Sequence, residues 1–248
     1  NAASVLVGDF LYSRAFQMMV SVGESRVMEV LADATNAIAE GEVMQLLATH
    51  NADVGEDEYR RIIQRKTAKL FEAAAQIGSI VSGGSAADEA ALSRYGLHLG
   101  TAFQLIDDVL DYSGDAETTG KNLGDDLREG KPTLPLIRVM QHGKPEQVAV
   151  VRRAIEQGGS GGFADVLDAV RATGALEYAE GAARSESEQA IAALAQLPRS
   201  AYRDCGIGEA GSRRRPRCPR RAGPAARCRG RARGLARPRP AGSRQRPR

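Results

Sequence analysis

Between Ala3 and Leu197 the chain has almost no alternation of polar and β-branched apolar residues, so it contains little that could form a strand. Its long stretches are rich in Ala, Leu, Glu, Gln and Arg and are punctuated by Gly, the pattern of helices in series. An all-α body follows. With 248 residues, 42% of them hydrophobic, there is enough apolar surface for a sizeable core. No apolar run approaches the roughly 18 residues of a membrane-spanning helix, and no charged-then-apolar leader opens the sequence. A soluble, cytoplasmic protein without a transmembrane segment is expected. The first residue is Asn1, already inside a small-residue helical pattern, so a piece of a longer chain is also expected.

The helices can be placed by their punctuation. Ala3–Val20 predicts one helix, stopped near Ser21–Gly23, and a second runs from about Glu24 to Leu47. A third is expected over Glu56–Ser82, ended by Gly83 and Gly84. Ser85 with Asp88 three residues on is a capping-box signal for a helix that continues to about Tyr112. Ser113–Pro132 is polar and rich in Gly and Asp, a long loop in an otherwise helical chain, and loops of that length are usually functional or disordered. Helices resume at Thr133–Met140, Pro145–Gln157, Phe163–Ala172 and Ala175–Leu197, the last with an apolar stripe of Leu176, Ala179, Ala183, Ala190, Leu194 and Leu197.

The net charge of +3 hides an asymmetry. Residues Cys205–Arg248 hold 15 Arg, no Lys and one acid, Glu209, hence +14 in formal charge, which leaves −11 for residues 1–204. Ile207 and Leu235 are the segment's only large aliphatic residues, so it cannot bury enough apolar surface to offset its chain entropy. Three readings of this disordered Arg/Pro-rich tail compete. The Arg clusters at 213–215 and 220–221 could bind RNA or anionic lipid. Cys205, Cys218 and Cys228 could hold zinc, but their spacing, with no His nearby, matches no usual ligand pattern. The preferred reading is a frameshift product with its break near Asp204, because GC-rich codons read out of frame return Arg, Pro, Gly and Ala.

The densest chemistry lies in residues 103–111, where Asp107, Asp108 and Asp111 share one helix edge at i,i+3 and i,i+4 spacings, and Phe103, Ile106 and Leu110 are expected to face inward. Like charges so spaced destabilise a helix unless a hard cation sits among them. Mg²⁺ suits the set, since it binds through one or two carboxylates and takes further ligands from water and substrate phosphates. Asp125 and Asp126 follow in the loop, flanked by Lys121 and Lys131, and Lys66-Thr67 lies upstream within a helix. Acids for a metal and lysines for phosphate in so short a span point to a metal–diphosphate site. The competing interpretation of each feature is ordinary: a solvated acidic face, and a surface lysine at Lys66. His50, His98 and His142 show no metal-ligand spacing and receive no chemistry.

The combination Phe103-Gln-x-x-Asp-Asp-x-x-Asp111, Gly120-Lys-x-x-Gly-Asp-Asp-Leu127 and Gly130-Lys-Pro-Thr-Leu-Pro135 resembles the second aspartate-rich region of trans-isoprenyl (polyprenyl) diphosphate synthases. Gly8-Asp-Phe-Leu-Tyr-Ser-Arg-Ala-Phe16, Glu40-Gly-Glu42 with Gln45, and Lys66-Thr-Ala68 are similar to the same family, and most of all to its bacterial octaprenyl-forming branch, which makes the quinone side chain. The resemblance covers about residues 1–204. It implies an isoprenoid-synthase-type helical bundle around a central cavity, partial here, and addition of isopentenyl diphosphate to an allylic diphosphate. It implies Mg²⁺ on Asp107 and Asp108 with Asp111 assisting. By the same match, Lys66, Lys121 and Lys131 hold the allylic diphosphate, Thr67 and Gln104 shape its site, and Lys66, Asp107 and Asp108 serve catalysis. Phe103 would lie beside the prenyl groups, with Phe16, Met19 and Leu31 as candidates for the pocket floor that limits product length; core packing is the alternative role of those three. A homodimer is implied for the complete family member, and no specific nucleic-acid partner.

Two departures accompany the match. The family's first Asp-Asp-x-x-Asp with trailing arginines and its earlier Gly-Lys-Arg region are absent and would precede Asn1, and the family's final helix would follow Asp204. The chain as written is therefore expected to hold about half of the metal site and not to turn over alone. Other readings are a shorter-chain synthase making farnesyl or geranylgeranyl diphosphate, a non-catalytic partner subunit, a helical terpene cyclase and an Arg-tail nucleic-acid binder. The intact acids weigh against the partner subunit, and Gly-Lys-Pro-Thr weighs for chain elongation over cyclisation.

Overall fold

The computed structural model describes residues 2–113, 123–158 and 162–211, and among these every regular element is a helix. In chain order they are α1 (Ala2–Val22), α2 (Ser25–Ala48), α3 (Glu56–Ile63), a π-helical turn (Gln64–Ala68), α4 (Lys69–Ser82) and α5 (Ala86–Ser113). Then come α6 (Asp125–Arg128), α7 (Leu134–His142), α8 (Pro145–Gln157), α9 (Phe163–Ala172), α10 (Ala175–Leu194) and α11 (Ala201–Gly211). The caps read from the sequence form as expected. Ser85 Oγ accepts the Asp88 N–H at 3.2 Å while the Asp88 carboxylate accepts the Ser85 N–H at 3.0 Å, satisfying two donors that the first turn of α5 leaves without helical partners. Prolines open α7 and α8, where their missing N–H costs nothing.

α5 is the central helix, and α4 and α10 make its most extensive packing. Its buried residues Leu105 and Val109 join Tyr59, Ile62 and Ile63 of α3, Leu134 and Ile137 of α7, and Ala179 and Ala183 of α10 in one cluster. Tyr112, one turn on, enters a second cluster with Leu127, Leu136, Val139, Val151, Ile155, Val166 and Val170. Each fully buried Leu, Ile or Val side chain contributes about 1.5–3 kcal/mol, so these two clusters dominate the stability of the body.

The expected third helix is continuous from Glu56 to Ser82, but its middle is the π turn, which the sequence does not announce. Close backbone approach surrounds it. A Cβ built on Gly41 of α2 would lie 2.5 Å from the Lys66 backbone nitrogen, and one on Gly100 of α5 would lie 2.6 Å from the Ala68 Cα. Gly96, one turn earlier on α5, meets the Phe71 carbonyl in the same way. Helices α2 and α5 thus reach the turn only because these positions lack a side chain.

Three expectations need correction. Phe103, Ile106 and Leu110 do not face inward: they are 55%, 41% and 40% exposed, and the buried side of α5 is Thr101, Leu105, Asp108, Val109 and Tyr112. The helix is apolar on two sides: Leu105, Val109 and Tyr112 pack into the two clusters, while Phe103 lies on the opposite side, in line with Gly96 and Gly100, against Phe71 of α4. The Ser113–Pro132 segment is not wholly loop, because α6 forms at Asp125–Arg128; residues 114–122 of it, including Lys121, lie outside the described residues. Helical structure also crosses the expected break at Asp204, since α11 continues to Gly211 with Cys205 buried. Positions 212–248 lie outside the described residues.

The glycine contacts give a paired prediction. Gly41→Ala should destabilise the protein by about 1–3 kcal/mol through overpacking against backbone. Gly78→Ala, at an exposed interior position of α4 with nothing within 4 Å of the added carbon, should stabilise it by about 0.5–1 kcal/mol. Urea unfolding of the two variants checks both signs.

Candidate functional site

The acidic turn of α5 does not present its three carboxylates alike. Asp108 is 3% exposed. Its Oδ2 accepts the Tyr59 hydroxyl at 2.6 Å, and its Oδ1 accepts the Gln104 side-chain amide at 2.8 Å. Gln104 in turn accepts the Thr67 hydroxyl at 2.9 Å. Side chains from α3, the π turn and α5 are thus joined in one chain of hydrogen bonds. Asp111 is half-buried, and its two oxygens accept the backbone N–H groups of Asp125 and Asp126 at 3.1 and 3.2 Å, which seats α6 against α5. Asp107 lies partly exposed on the same turn.

Burial pushes the Asp108 carboxyl up to about 7, with the Tyr59 and Gln104 hydrogen bonds opposing and the charges of Asp126 and Asp107 adding to the rise. Burial likewise raises Asp111 to about 6, helped by Asp126 and opposed by its backbone hydrogen bonds. Two acids a turn apart, both raised, with further acids beside them, make a site where a cation would be favoured. The donor set of hard oxygens fits a divalent ion such as Mg²⁺. Among the described residues, no three His, Cys, Asp or Glu side chains are already gathered around a common point; Asp108 and Asp111 are turned toward their hydrogen-bond donors instead.

The cationic side of the site is built by two segments. Lys66, presented by the π turn, donates to the Gln45 side chain and pairs with Glu42 at 3.2 Å, both from α2. Lys131 pairs with Asp126 at 3.0 Å and Glu129 at 2.6 Å. Burial works to lower the Lys131 ammonium, but those two acids outweigh it and push it up to about 12. Glu129 is held below its ordinary range first by Lys131 and also by the charge of Lys66, so the two lysines converge on one region. The loop that carries Lys131 is fixed at Gly130, whose φ of +72° favours glycine. Its carbonyl accepts the His50 N–H at 2.8 Å, and the His50 ring lies where a Gly130 side chain would be.

The structure therefore brings Asp107, Asp108, Asp111, Gln104, Thr67, Lys66 and Lys131 into one neighbourhood. Phe103 stands exposed on α5 with its ring 5.5 Å from that of Phe71. The three pocket-floor candidates lie on α1 and α2: the Phe16 ring lies tilted against that of Tyr12 with centroids 4.8 Å apart, Met19 is buried, and Leu31 packs against the Val30, Ala34 and Ala73 cluster. Sequence reasoning missed Tyr59, which is 49 positions from Asp108 and has no local signal. It also missed the π turn, a type of distortion common at functional sites.

With the geometry in place, comparison with known proteins is direct. The polyprenyl synthetase family model matches residues 1–170. The chain belongs to that family. It is 54% identical over 209 residues to octaprenyl diphosphate synthase of Escherichia coli (strain K12), covering 84% of this chain and 65% of that protein. The Haemophilus influenzae octaprenyl diphosphate synthase is 50% identical over 208 residues, 84% of this chain and 63% of the relative. Among solved structures, a polyprenyl synthase from Caulobacter crescentus CB15, described as complexed with calcium and isoprenyl diphosphate, superposes with a TM-score of 0.79 at 44% identity over 83% of this chain and 63% of that one. The chain thus spans somewhat less than two thirds of the length of these relatives. Among the described residues no helix is long and apolar enough to cross a membrane.

A pH prediction follows from Asp108. Its folded-state carboxyl titrates near 7 against an ordinary 3.8, so the folded protein binds the proton more tightly and loses stability as pH rises between these values. Asp108→Asn removes that penalty. The Tm gain of the variant over the parent, without added metal, should be small at pH 5 and clearly larger at pH 8, as measured by circular-dichroism melts.

Proposed function

We propose that the chain is the larger part of a trans-prenyltransferase that adds isopentenyl diphosphate to an allylic diphosphate and makes a long-chain, octaprenyl-type product. The observation that carries this reading is the convergence of Lys66 and Lys131 on a helix turn whose buried Asp108 and half-buried Asp111 face further acids. Identity to octaprenyl diphosphate synthases, and a solved relative described with calcium and isoprenyl diphosphate, support it. In this reading the synthase portion extends through α11, and the Arg-rich remainder takes no part.

Each residue's task follows from its chemistry. Ionising an allylic diphosphate leaves concentrated negative charge on the departing diphosphate, which preorganised cations stabilise as it develops. Lys66 and Lys131 would supply two of those cations, exchanging Glu42 and Glu129 for diphosphate oxygens, with Lys121 as a third. A divalent ion on Asp107 and Asp108, with Asp111 assisting, would act as a Lewis acid toward the same oxygens. Thr67 and Gln104 would hold the register between lysine and aspartate. Phe103 would stand beside the prenyl group and keep water from the cation that forms, and Phe16, Met19 and Leu31 would bound the far end of the growing chain. A homodimer, as implied by the family resemblance, is part of the proposal.

The test is direct. Purified 248-residue chain is given radiolabelled isopentenyl diphosphate, an allylic diphosphate and Mg²⁺, with equilibrium binding and product followed separately. Metal-dependent allylic diphosphate binding without robust turnover is expected, because the chain has a single Asp-Asp-x-x-Asp. Hydrogen bonds to charged groups are worth about 1.5–3 kcal/mol, so Lys66→Ala and Lys131→Ala should each weaken binding at least about tenfold. Robust turnover by the unmodified chain would overturn the partial-site reading, and binding indifferent to both lysines would overturn the assignment of the diphosphate site.

A further inference from the structure

Asp108 is held in an unusual way for a buried carboxylate. Buried acids are ordinarily paired with a cation, yet among the described residues the groups that hydrogen-bond to Asp108 are both neutral: the Tyr59 hydroxyl at 2.6 Å on Oδ2 and the Gln104 amide at 2.8 Å on Oδ1. Neutral donors fix the plane and direction of a carboxylate while leaving its charge uncompensated. Gln104 is four residues away on the same helix and reaches outside α5 only indirectly, through the Thr67 hydroxyl of the π turn. Tyr59 comes from another helix, so its hydroxyl fixes the carboxylate relative to the rest of the site.

The placement of Tyr59 is itself over-determined. Its ring is buried in the cluster with Ile62, Ile63, Leu105 and Val109. The next residue, Arg60, pairs with Glu56 at 2.8 Å within α3 and with Glu186 of α10 at 3.3 Å. Glu186, in turn, meets the His98 ring of α5 at 2.7 Å. Through these contacts α3 is locked to both α5 and α10, and the phenol has little freedom to follow Asp108 if the carboxylate turns.

We propose that Tyr59 is a positioning residue for the cation site: by donating to Asp108 Oδ2 from a separately anchored helix, it aims the carboxylate so that its remaining lone pairs face the divalent ion. The inference rests on the reading of Asp108 as a cation ligand. Outer partners that orient metal ligands are typically worth about 10- to 100-fold in metal affinity.

The experiment is a Mn²⁺ titration of the full 248-residue chain, with free Mn²⁺ read by electron paramagnetic resonance and folding followed by circular dichroism. Tyr59→Phe keeps the buried ring and removes only the hydroxyl; it should weaken Mn²⁺ binding about tenfold and leave the helical spectrum unchanged. Tyr112→Phe deletes an equally buried hydroxyl that is bonded to Thr133 rather than to an acid, and it should leave the affinity unchanged. In an Asp108→Asn background, Tyr59→Phe should have no further effect, which a general loosening of the core would not reproduce. If Tyr59→Phe binds Mn²⁺ as the parent does while Asp108→Asn does not, or if Tyr112→Phe weakens binding as much as Tyr59→Phe, the positioning role is wrong and the cation reading stands. If the parent takes up no Mn²⁺, or Asp108→Asn leaves its affinity unchanged, the cation reading fails and the proposal fails with it.

Discussion

The rest of the site depends on close backbone contact around one distorted turn. Gly41 lets α2 lie against the backbone of Lys66, and Gly100 lets α5 lie against Ala68. A Cβ at either place would meet main chain, which cannot swing aside as a side-chain tip can. The glycines cost helix propensity at two interior positions, and the return is geometric. The π turn projects Lys66 toward Gln45 and Glu42 of α2, and Thr67 toward Gln104 of α5. Without that approach, the lysine and the aspartates would belong to separate surfaces.

The second organising element is an electrostatic imbalance. Asp108 is removed from water and Asp111 partly so, with no ion pair to either among the described residues, and burial raises both above the ordinary range of an aspartate. Lys131 and Glu129, nearby, have the opposite condition, each held charged by its partner. Such an arrangement is poor for stability and suits the binding of an ion together with an anion. The divalent cation would relieve the aspartates, and a diphosphate would replace the acids that occupy the lysines. Stability given up at the site is supplied by the clusters around Leu105 and Tyr112, which make the body tolerant of it.

The sequence carried the helices because their limits are set locally. Ser85 and Asp88 cap α5, and Pro145 opens α8. It carried the grouping of acids with a lysine because Asp107, Asp108 and Asp111, with Lys131 following, are close in the chain. It failed where the answer is tertiary. The stripe Phe103, Ile106 and Leu110 has helical spacing as good as that of Leu105, Val109 and Tyr112, and only the packing of α3, α7 and α10 on the second stripe decides which is inside. Tyr59 and Glu186, polar groups in otherwise apolar stripes, meet their partners across 49 and 126 positions of sequence, beyond any local pattern.

In the proposed function the α5 acids and the two lysines form one metal–diphosphate site. A crystal structure of the chain with Mg²⁺ and a thio-substituted allylic diphosphate tests it most directly. Ion density bonded to Asp107 and Asp108 is expected, with the diphosphate oxygens between Lys66 and Lys131 and the Glu42 and Glu129 contacts of those lysines broken. A diphosphate bound elsewhere, or bound with both lysines still paired to glutamate and no ion on α5, would contradict it.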